Sequence, residues 1–335
     1  MTFVKKNWQG ILLCLAIAIP AWLLGKQFSV VGGPVFAILI GLVIALFPRN
    51  TYFQSGINFT GKKILQYAIV LLGFGMNLFE IFAVGGQSLL IILSTITTAL
   101  VVSFVLTKAL KMPGNVGILV GVGSSICGGS AIAATAPVIG ADDEDIAKSI
   151  SVIFLFNVIA AFLFPVLGNL LGFSDTGFGM WAGTAINDTS SVVAAGQTWS
   201  SAHGSDTALN YATIVKLTRT LAIIPITLIL ALYRSYKAKS APVGNVQFTK
   251  IFPWFILFFV LASVISTFGR LPETVTQPLS ELGKFMITMA MGAIGLNTNL
   301  VKLIKTGGKP LFLGLICWIC IASVSLIMQH VLGIW

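Results

Sequence analysis

Long apolar runs, separated by short polar stretches, occupy most of the chain. The first run, Ile11–Leu24, follows Lys5 and Lys6, and no small-residue cleavage site comes after it, so it indicates a transmembrane helix and not a cleaved signal. Ten further runs lie at 29–47, 64–84, 87–107, 115–140, 147–171, 176–196, 211–233, 251–268, 284–300 and 310–333. Because roughly 20 apolar residues cross a bilayer as a helix, the pattern predicts an all-α polytopic membrane protein with about 9–11 transmembrane helices.

A single transmembrane domain is expected to cover residues 1–335. Its predicted parts are the N-terminal helices at 1–47, a first half at 64–171, a second half at 176–335 and a cytoplasmic loop at 235–250. Each half contains one segment that is unusual for a membrane span, at 115–140 and at 176–196.

The composition excludes an ordinary soluble protein. Of the 335 residues, 56% are apolar and only 9% are charged, whereas a soluble domain carries about 25% charged residues. The mean hydropathy is +0.97. A formal net charge of +10 would suggest nucleic-acid binding in a soluble protein, but here the basic residues lie in short loops beside apolar runs, where they act as orientation signals.

The loop charges predict which way the chain crosses the membrane. A cytoplasmic N-terminus places most loop lysines and arginines inside, and only Lys26 and Arg270, with Lys284 at a helix edge, outside. The residues placed inside are Arg49, Lys62, Lys63, Lys108, Lys111, Arg234, Lys237, Lys239, Lys250, Lys302, Lys305 and Lys309. This bias predicts a cytoplasmic N-terminus and an external C-terminus.

The two unusual segments are rich in Gly, Ser and Thr, which a lipid-facing helix has little use for. They read GVGSSICGGSAIAATA at 121–136 and AGTAINDTSSVVAAG at 182–196. If both cross the membrane fully as broken helices, the chain has eleven spans, and if both re-enter, it has nine. Only the acidic run at 142–145 changes sides between these alternatives, and this run is expected to be a solvated cap on the next helix.

Two internal matches indicate repeated structure. At an offset of 54, Gly129–Ile132 pairs with Gly183–Ile186. At an offset of 222, residues 61–89 match residues 283–311. The predicted orientation makes the second match an inverted repeat, which is typical of transporters.

A helix broken by glycine inside a membrane offers unpaired N–H groups, and its N-terminal end carries partial positive charge. Such ends bind anions, and hydroxyl groups add neutral donors. The alternative interpretation is close helix packing through small residues. The candidate substrate-binding residues are Ser124, Ser125, Gly128, Gly129 and Ser130 in the first segment and Thr184, Asn187, Thr189, Ser190 and Ser191 in the second.

Charged residues within membrane spans are costly and usually functional. Asp188 lies within the second segment and is a candidate coupling residue. Lys216 and Arg219 are three residues apart, so they share a helix face, and Arg219 is expected roughly 12 Å into its span. Lys216 either belongs to the site or extends to the membrane surface. Arg219 is expected either to pair with Asp188 or to coordinate an anionic substrate.

Asn77 and Asn299 are matched by the 222-residue repeat, and Asn297 lies beside the second of them. These amides could form a polar pathway or a cation site for coupling, or they could hydrogen-bond neighbouring helices. No metal site is expected. Enzyme signatures are absent from the sequence, since no nucleophile–base pair can be assembled from these residues.

Three motifs, GSSICGGSAIAATAPVI, GTAINDTSSVVAAG and VKLTRT, together resemble the YeiH-type family of bacterial membrane proteins, whose members are called sulfate exporters. The resemblance covers essentially the full length. It implies a design similar to the bile-acid, arsenite and riboflavin transporter superfamily, with inverted repeats, discontinuous helices that cross near the midplane, and a core that moves against a static scaffold. It also implies an inner-membrane location and family motif positions at 124–130, 183–191, Lys216 and Arg219.

The sequence therefore predicts a secondary transporter that moves a small anion, sulfate-like, sulfite-like or organic, across the bacterial cytoplasmic membrane by alternating access. No cofactor is expected beyond a coupling H⁺ or Na⁺. The expected partners are the anion and the lipid bilayer, a homodimer is allowed, and nucleic acid is not expected. One alternative is a sodium-coupled organic anion symporter, with sodium held by Asn77, Asn299 and Asp188. Another is a membrane regulator that transports nothing.

Overall fold

The computed structural model describes residues 2–28, 31–47, 50–238, 253–298 and 307–335, and it is helical with no strand in these ranges. The first helices are α1 (Thr2–Gln27), α2 (Gly33–Ala45), α3 (Gln54–Phe59), α4 (Leu65–Gly73), α5 (Leu78–Ala109), α6 (Gly114–Ser125), α7 (Gly129–Ile139) and α8 (Asp143–Leu170). The others are α9 (Asp175–Ala185), α10 (Thr189–His203), α11 (Thr207–Thr220), α12 (Ile223–Ala238), α13 (Trp254–Gly269), α14 (Glu273–Asn297) and α15 (Gly308–Leu332). A 3₁₀ turn at Thr51–Phe53 precedes α3, and a π turn at Thr60–Ile64 joins α3 to α4.

Side-chain caps fix where several helices begin. The Asp142 carboxylate accepts a hydrogen bond from the Asp145 N–H at 2.7 Å, so the acidic run at 142–145 does cap α8, as predicted. The Ser174 hydroxyl accepts the Gly177 N–H at 3.1 Å at the start of α9. These polar starts define sharp turns between helices that are otherwise apolar.

Contacts between helix ends define two sides of the layer that the helices form. On one side, Lys309 at the start of α15 donates to the Leu110 carbonyl at the end of α5, at 3.0 Å. We call this the lysine side. On the other side, Trp335, which follows α15, stacks on Phe173, which follows α8, with ring centroids 4.5 Å apart. We call this the tryptophan side. The helices α8 and α15 therefore run parallel, and both start on the lysine side.

The first glycine-rich segment is a hairpin of two half-helices that enters from the lysine side and returns to it. Its first arm, α6, runs back along the end of α5, where Gly117 lies against Thr107. Its second arm, α7, folds back at 126–128, so that Gly123 in α6 faces Ile132 in α7. The arm α7 then leads into α8, which starts on the lysine side.

The second glycine-rich segment is a hairpin that enters from the tryptophan side. Its first arm, α9, starts beside the chain end, since Gly177 lies against Ile334 and Trp335. Its second arm, α10, returns alongside α9, and the Trp199 indole donates to the Asp175 carboxylate at 2.7 Å. Trp199 also stacks on Phe178, with ring centroids 4.1 Å apart. The two hairpins thus enter the layer from opposite sides.

Because both segments re-enter, the chain passes from one side to the other nine times within the described ranges, which matches the nine-span alternative. Six helical stretches among the described residues are long and apolar enough to cross a membrane: Asn7–Gln27, Leu78–Ala109, Asp143–Leu170, Thr207–Leu230, Glu273–Asn297 and Gly308–Leu332. The remaining passages use α2, α13 and the α3–α4 pair. The predicted runs at 64–84 and 87–107 were placed wrongly, since α4 ends at Gly73 and a single helix, α5, continues through 84–87.

The helices form two bundles. The flanking bundle contains α1 to α4, α13 and α14, and the hairpin bundle contains α5 to α12 and α15. Glycines allow the closest approaches in the flanking bundle: a side chain at Gly41 would meet the Gly292 carbonyl oxygen at 2.5 Å. Fewer contacts join the bundles, among them Gly32 against Thr198 and the Gln197 amide donating to the Lys284 carbonyl at 3.2 Å.

The 222-residue match has the contacts of an inverted repeat. Gly283 in α14 lies against Ala68 and Leu71, and its counterpart Gly61 lies against Ala293 and Ile294. The 54-residue match is wrong as a structural register, because it pairs the first turn of α7 with the last turn of α9. The breaks at 126–128 and 186–188 correspond at an offset of 60, which also aligns Gly123 with Gly183 and Ser130 with Ser190.

Cysteine labelling tests the hairpin topology. With the four native cysteines replaced by alanine, Asp143→Cys and Lys309→Cys are expected to react with a membrane-impermeant maleimide from the same side of sealed vesicles. Ser201→Cys, at the return end of α10, is expected to react from the opposite side. If Asp143→Cys instead reacts together with Ser201→Cys, the first segment crosses the layer and the hairpin assignment is wrong.

Candidate functional site

The two hairpin tips meet inside the layer and define the candidate site. The residues that precede α7 and α10, Gly128 and Asp188, face each other: a Cβ atom at Gly128 would lie 3.3 Å from the Cβ of Asp188. Gly128 has a φ of 68°, which favours glycine, and the tight turn requires it. Four half-helix ends therefore converge here, the C-terminal ends of α6 and α9 and the N-terminal ends of α7 and α10.

Arg219, in the last turn of α11, is fully buried between the two C-terminal ends. Its Nε donates to the Ser125 carbonyl at 2.8 Å, its Nη2 to the Ser124 carbonyl at 2.6 Å and its Nη1 to the Thr184 carbonyl at 2.6 Å. The guanidinium thus bridges the end of α6 and the end of α9. All three of its nitrogens are engaged with the backbone.

Lys216 lies one turn earlier in α11 and is also fully buried. Its ammonium donates to the Ile126 carbonyl at 2.8 Å and to the Ile186 carbonyl at 2.9 Å. These carbonyls are equivalent at the 60-residue offset, and so are those of Ser124 and Thr184 that Arg219 binds. Both cations therefore lie close to the pseudo-two-fold axis that relates the hairpins.

These contacts correct the predicted roles of the cations. Lys216 does not extend to the membrane surface. No ion pair joins Arg219 to Asp188 in the part of the chain that the structure describes. The C-terminal end of a helix carries about half a negative charge, and buried carbonyls need hydrogen-bond donors. Lys216 and Arg219 supply both the charge and the donors for α6 and α9.

Asp188 caps the N-terminal end of α10. One of its carboxylate oxygens accepts hydrogen bonds from the Ser190 N–H, at 3.0 Å, and from the Ser190 hydroxyl. Its own N–H donates to the Asn157 side-chain oxygen at 3.2 Å. The positive end of α10 is therefore already occupied by a negative side chain.

The N-terminal end of α7 has no such cap. Gly128 precedes it, without a side chain that could accept its first N–H groups. Ser130, in its first turn, has an exposed side chain, and Gly129 is half-buried. An uncapped N-terminal end with an accessible hydroxyl group can receive an anion.

Asn157 lies between the two N-terminal ends and was not singled out by the sequence analysis. It is 3% exposed, and its Nδ2 has no hydrogen-bond acceptor among the described residues. This nitrogen is 3.5 Å from where a Cβ would stand at Gly128. The signal for Asn157 was one amide within the apolar run IFLFNVIAAF, and nothing in the spacing linked it to the broken segments.

The other predicted substrate-binding residues divide into three groups. The hydroxyls of Ser125 and Thr184 are bound to backbone carbonyls of their own half-helices, at 3.0 and 2.7 Å. The Ser124 hydroxyl and the Asn187 side-chain oxygen are buried and have no partner among the described residues. The first turn of α10 carries the remaining three, of which Thr189 is half-exposed and Ser190 and Ser191 are buried.

The structure does not bring Asn77, one of the predicted coupling amides, to the junction. Asn77 caps α5 on the tryptophan side, where its side chain accepts the Phe79 N–H at 2.8 Å. Asn299 lies outside the described residues. Asn297 hydrogen-bonds Gln54 at 2.7 Å and Asn58 at 3.0 Å on the lysine side. Asn297 thus hydrogen-bonds a neighbouring helix, which is the second of the two alternatives that the sequence left open.

A cavity of about 430 Å³ opens between the two bundles on the tryptophan side. Its charged lining includes Lys26, Asp206, Glu281 and Lys284, and the Lys284 ammonium binds both carboxylates at 2.7 Å. Gln197, nine residues along the chain from Asp188, reaches its wall. The cavity therefore lies along the helix that leads to the junction.

These features define a polytopic membrane protein with two opposed re-entrant hairpins and a charged junction between them. The chain belongs to the family described as "Conserved hypothetical protein 698", whose sequence model matches residues 9–314. This is the YeiH family, so the resemblance drawn from the three motifs is confirmed.

Relatives match the chain over nearly its whole length. It is 57% identical to a UPF0324 membrane protein of Streptococcus mutans, over 100% of both chains. It is 56% identical to a UPF0324 membrane protein of Fusobacterium nucleatum, over 99% of this chain and 100% of the other. It is 60% identical to one from Streptococcus pyogenes, over 98% of each.

The substitution Arg219→Lys tests the bridging role of the guanidinium. A lysine keeps the charge but cannot place three planar N–H groups on Ser124, Ser125 and Thr184, so at least one buried carbonyl loses its donor. Because hydrogen bonds to charged groups contribute about 1.5–3 kcal/mol each, we expect a Tm several degrees lower, measured by tryptophan fluorescence in detergent. Arg270→Lys, at an exposed helix end, is the matched control and is expected to leave Tm unchanged. Equal Tm values for the two variants would contradict the bridge.

Proposed function

We propose that this protein is a secondary transporter of a small anion, sulfate-like, sulfite-like or a small carboxylate, with its substrate site at the uncapped N-terminal end of α7. The observation that carries the proposal is the unsatisfied Asn157 Nδ2, buried beside that helix end. A buried amide nitrogen without an acceptor is costly, so its presence beside a positive helix end indicates a missing acceptor. A bound anion would supply it.

The charge of the junction supports an anion. Lys216 and Arg219 carry two positive charges, while Asp188 carries one negative charge. The negative ends of α6 and α9 and the positive ends of α7 and α10 balance each other approximately, which leaves the junction positive by about one charge. A small monoanion, or a dianion such as sulfate bound together with a proton on Asp188, restores neutrality in a region where an uncompensated charge is costly.

The two N-terminal ends suggest how an anion is coupled to a proton. Asp188 is adjacent to Gly128, so an anion at α7 would lie close to the Asp188 carboxylate. Two negative charges at that separation repel each other in a low dielectric. Protonation of Asp188 removes the repulsion, and we propose H⁺ as the coupling ion. Among the described residues, Lys216 and the Cys127 thiol also lie close enough to Asp188 to interact with it electrostatically.

Alternating access would use the boundary between the two bundles. The hairpin bundle carries the whole junction, and the cavity on the tryptophan side lies between the bundles. We propose that movement of the hairpin bundle against the flanking bundle exposes α7 to one side and then to the other. Following the predicted loop-charge bias, we further propose that the lysine side faces the cytoplasm of a bacterial inner membrane.

Two alternatives are less well supported. Asn77 and Asp188 are not placed to bind one sodium ion together, because Asn77 caps a helix away from the junction. A regulator without transport would not need a polar junction inside the layer with an exposed Ser130 and a half-exposed Thr189.

Asn157→Leu tests the substrate site. Leucine has nearly the same volume but offers no donor, and the loss of one hydrogen bond to a charged group predicts about tenfold or more weaker anion exchange. The measurement is counterflow of radiolabelled sulfate in proteoliposomes, repeated with sulfite and acetate as competitors. Asn169→Leu, on the same helix, removes an exposed amide that donates to the Pro165 carbonyl and serves as the matched control.

If wild-type protein gives no counterflow and no competition with any of these anions, the proposed function is wrong. If the wild type transports and both leucine variants transport equally well, the substrate site lies elsewhere.

Asp188→Asn tests proton coupling. Asparagine is also a good N-cap, so α10 is expected to stay intact, while the titratable group is lost. We expect anion counterflow to persist but an imposed pH gradient to stop driving net accumulation of the anion. Accumulation driven by the pH gradient at the wild-type level in this variant would exclude Asp188 as the coupling group.

A further inference from the structure

The C-terminal ends of α6 and α9 present a set of backbone carbonyls that has the chemistry of a monovalent-cation site. The five oxygens belong to Ser124, Ser125, Ile126, Thr184 and Ile186, and all five residues are buried. Unwound carbonyls and half-helix C-terminal ends are where transporters hold coupling sodium ions. Here the two ends also face each other, so their partial negative charges add.

Covalently attached cations fill this set of oxygens. The Lys216 ammonium lies 2.8 and 2.9 Å from the Ile126 and Ile186 oxygens, and the Arg219 guanidinium binds the other three. Each side chain spans the two hairpins, as a shared metal ion would. Both are fully buried, so neither is a surface charge that happens to lie nearby.

We propose that Lys216 and Arg219 are resident cations that take the place of coupling sodium, so that this protein neither binds nor needs Na⁺, and that removal of the Lys216 side chain creates a binding site for a primary alkylammonium ion. The part of this inference that concerns coupling rests on the proposed function. The part that concerns the cation site can be tested without measuring transport.

The contacts of Lys216 define what the vacated site would select. The two carbonyl oxygens accept N–H donors from a single ammonium, and the space left by the three methylene groups that alanine lacks accepts a short alkyl chain. Asp188 favours a cation at this position, whereas the neighbouring Arg219 and the burial of the site disfavour a strongly hydrated ion. An alkylammonium is less strongly hydrated and suits this surrounding better than Na⁺ does.

The experiment compares Lys216→Ala with Lys216→Met. Both substitutions remove the charge, but only alanine leaves room for a ligand, since methionine fills the volume of the lysine stem. Thermal unfolding of detergent-solubilised protein is followed in ethylammonium chloride and in choline chloride at equal ionic strength. Lys62→Ala, at an exposed position, controls for loss of one lysine. The wild type is compared in sodium, potassium and choline chlorides.

We expect ethylammonium to raise the Tm of Lys216→Ala in a saturable way, and to leave Lys216→Met, Lys62→Ala and the wild type unchanged. We also expect the wild type to have the same Tm in sodium chloride, potassium chloride and choline chloride. If Lys216→Ala cannot be purified in choline, the same comparison is made on the yield of monodisperse protein solubilised with ethylammonium, where the alanine variant alone is expected to recover.

Either of two results in these stability measurements would overturn the inference. One is a sodium-specific rise in the Tm of the wild type. The other is an alanine variant whose stability and yield are the same in ethylammonium and choline. Absence of anion transport with intact ethylammonium binding would instead overturn only the proposed function. Anion transport that depends on sodium would leave that function standing and overturn the resident-cation inference.

Discussion

This structure depends on one constraint: the C-terminal ends of two helices face each other inside an apolar layer, and their carbonyls need hydrogen-bond donors there. The ends of α6 and α9 carry like partial charges and several carbonyls without intrahelical partners, and water cannot satisfy them at that depth. Arg219 and Lys216 donate to both ends at once, with bonds of 2.6–2.9 Å. Helix α11 therefore holds the hairpins together at their tips.

In the same arrangement, the N-terminal ends of α7 and α10 differ in whether a side chain caps them. Asp188 caps α10, whereas Gly128 leaves α7 open, although the two residues are equivalent in the repeat. A symmetric pair of hairpins thus yields one filled and one vacant positive end, side by side. This asymmetry is the physical basis for proposing one anion site with an adjacent titratable carboxylate, and Asn157 belongs to the vacant end.

Much of the fold could be predicted from the sequence, because the length of an apolar run indicates a membrane span whatever its tertiary contacts. The Gly- and Ser-rich composition of 121–136 and 182–196 also predicted broken segments at the correct places. The sequence allowed both crossing and re-entrant segments, and it could not decide between them, since re-entry depends on contacts such as Trp199 with Asp175. The role of Arg219 was missed for a related reason: a sequence shows which charges are buried, but not that backbone carbonyls are their partners. Asn157 became visible only when the fold placed it beside Gly128.

Solid-state NMR on the protein in bilayers measures the central contact most directly. With guanidino-¹⁵N arginine and carbonyl-¹³C threonine, the Arg219–Thr184 bond, 2.6 Å from nitrogen to oxygen, predicts strong dipolar dephasing between the two labels. This dephasing should disappear in Arg219→Lys, where the labelled nitrogen is absent from the site. No dephasing in the wild type, or the same dephasing in the variant, would contradict the bridge between the hairpins and the account built on it.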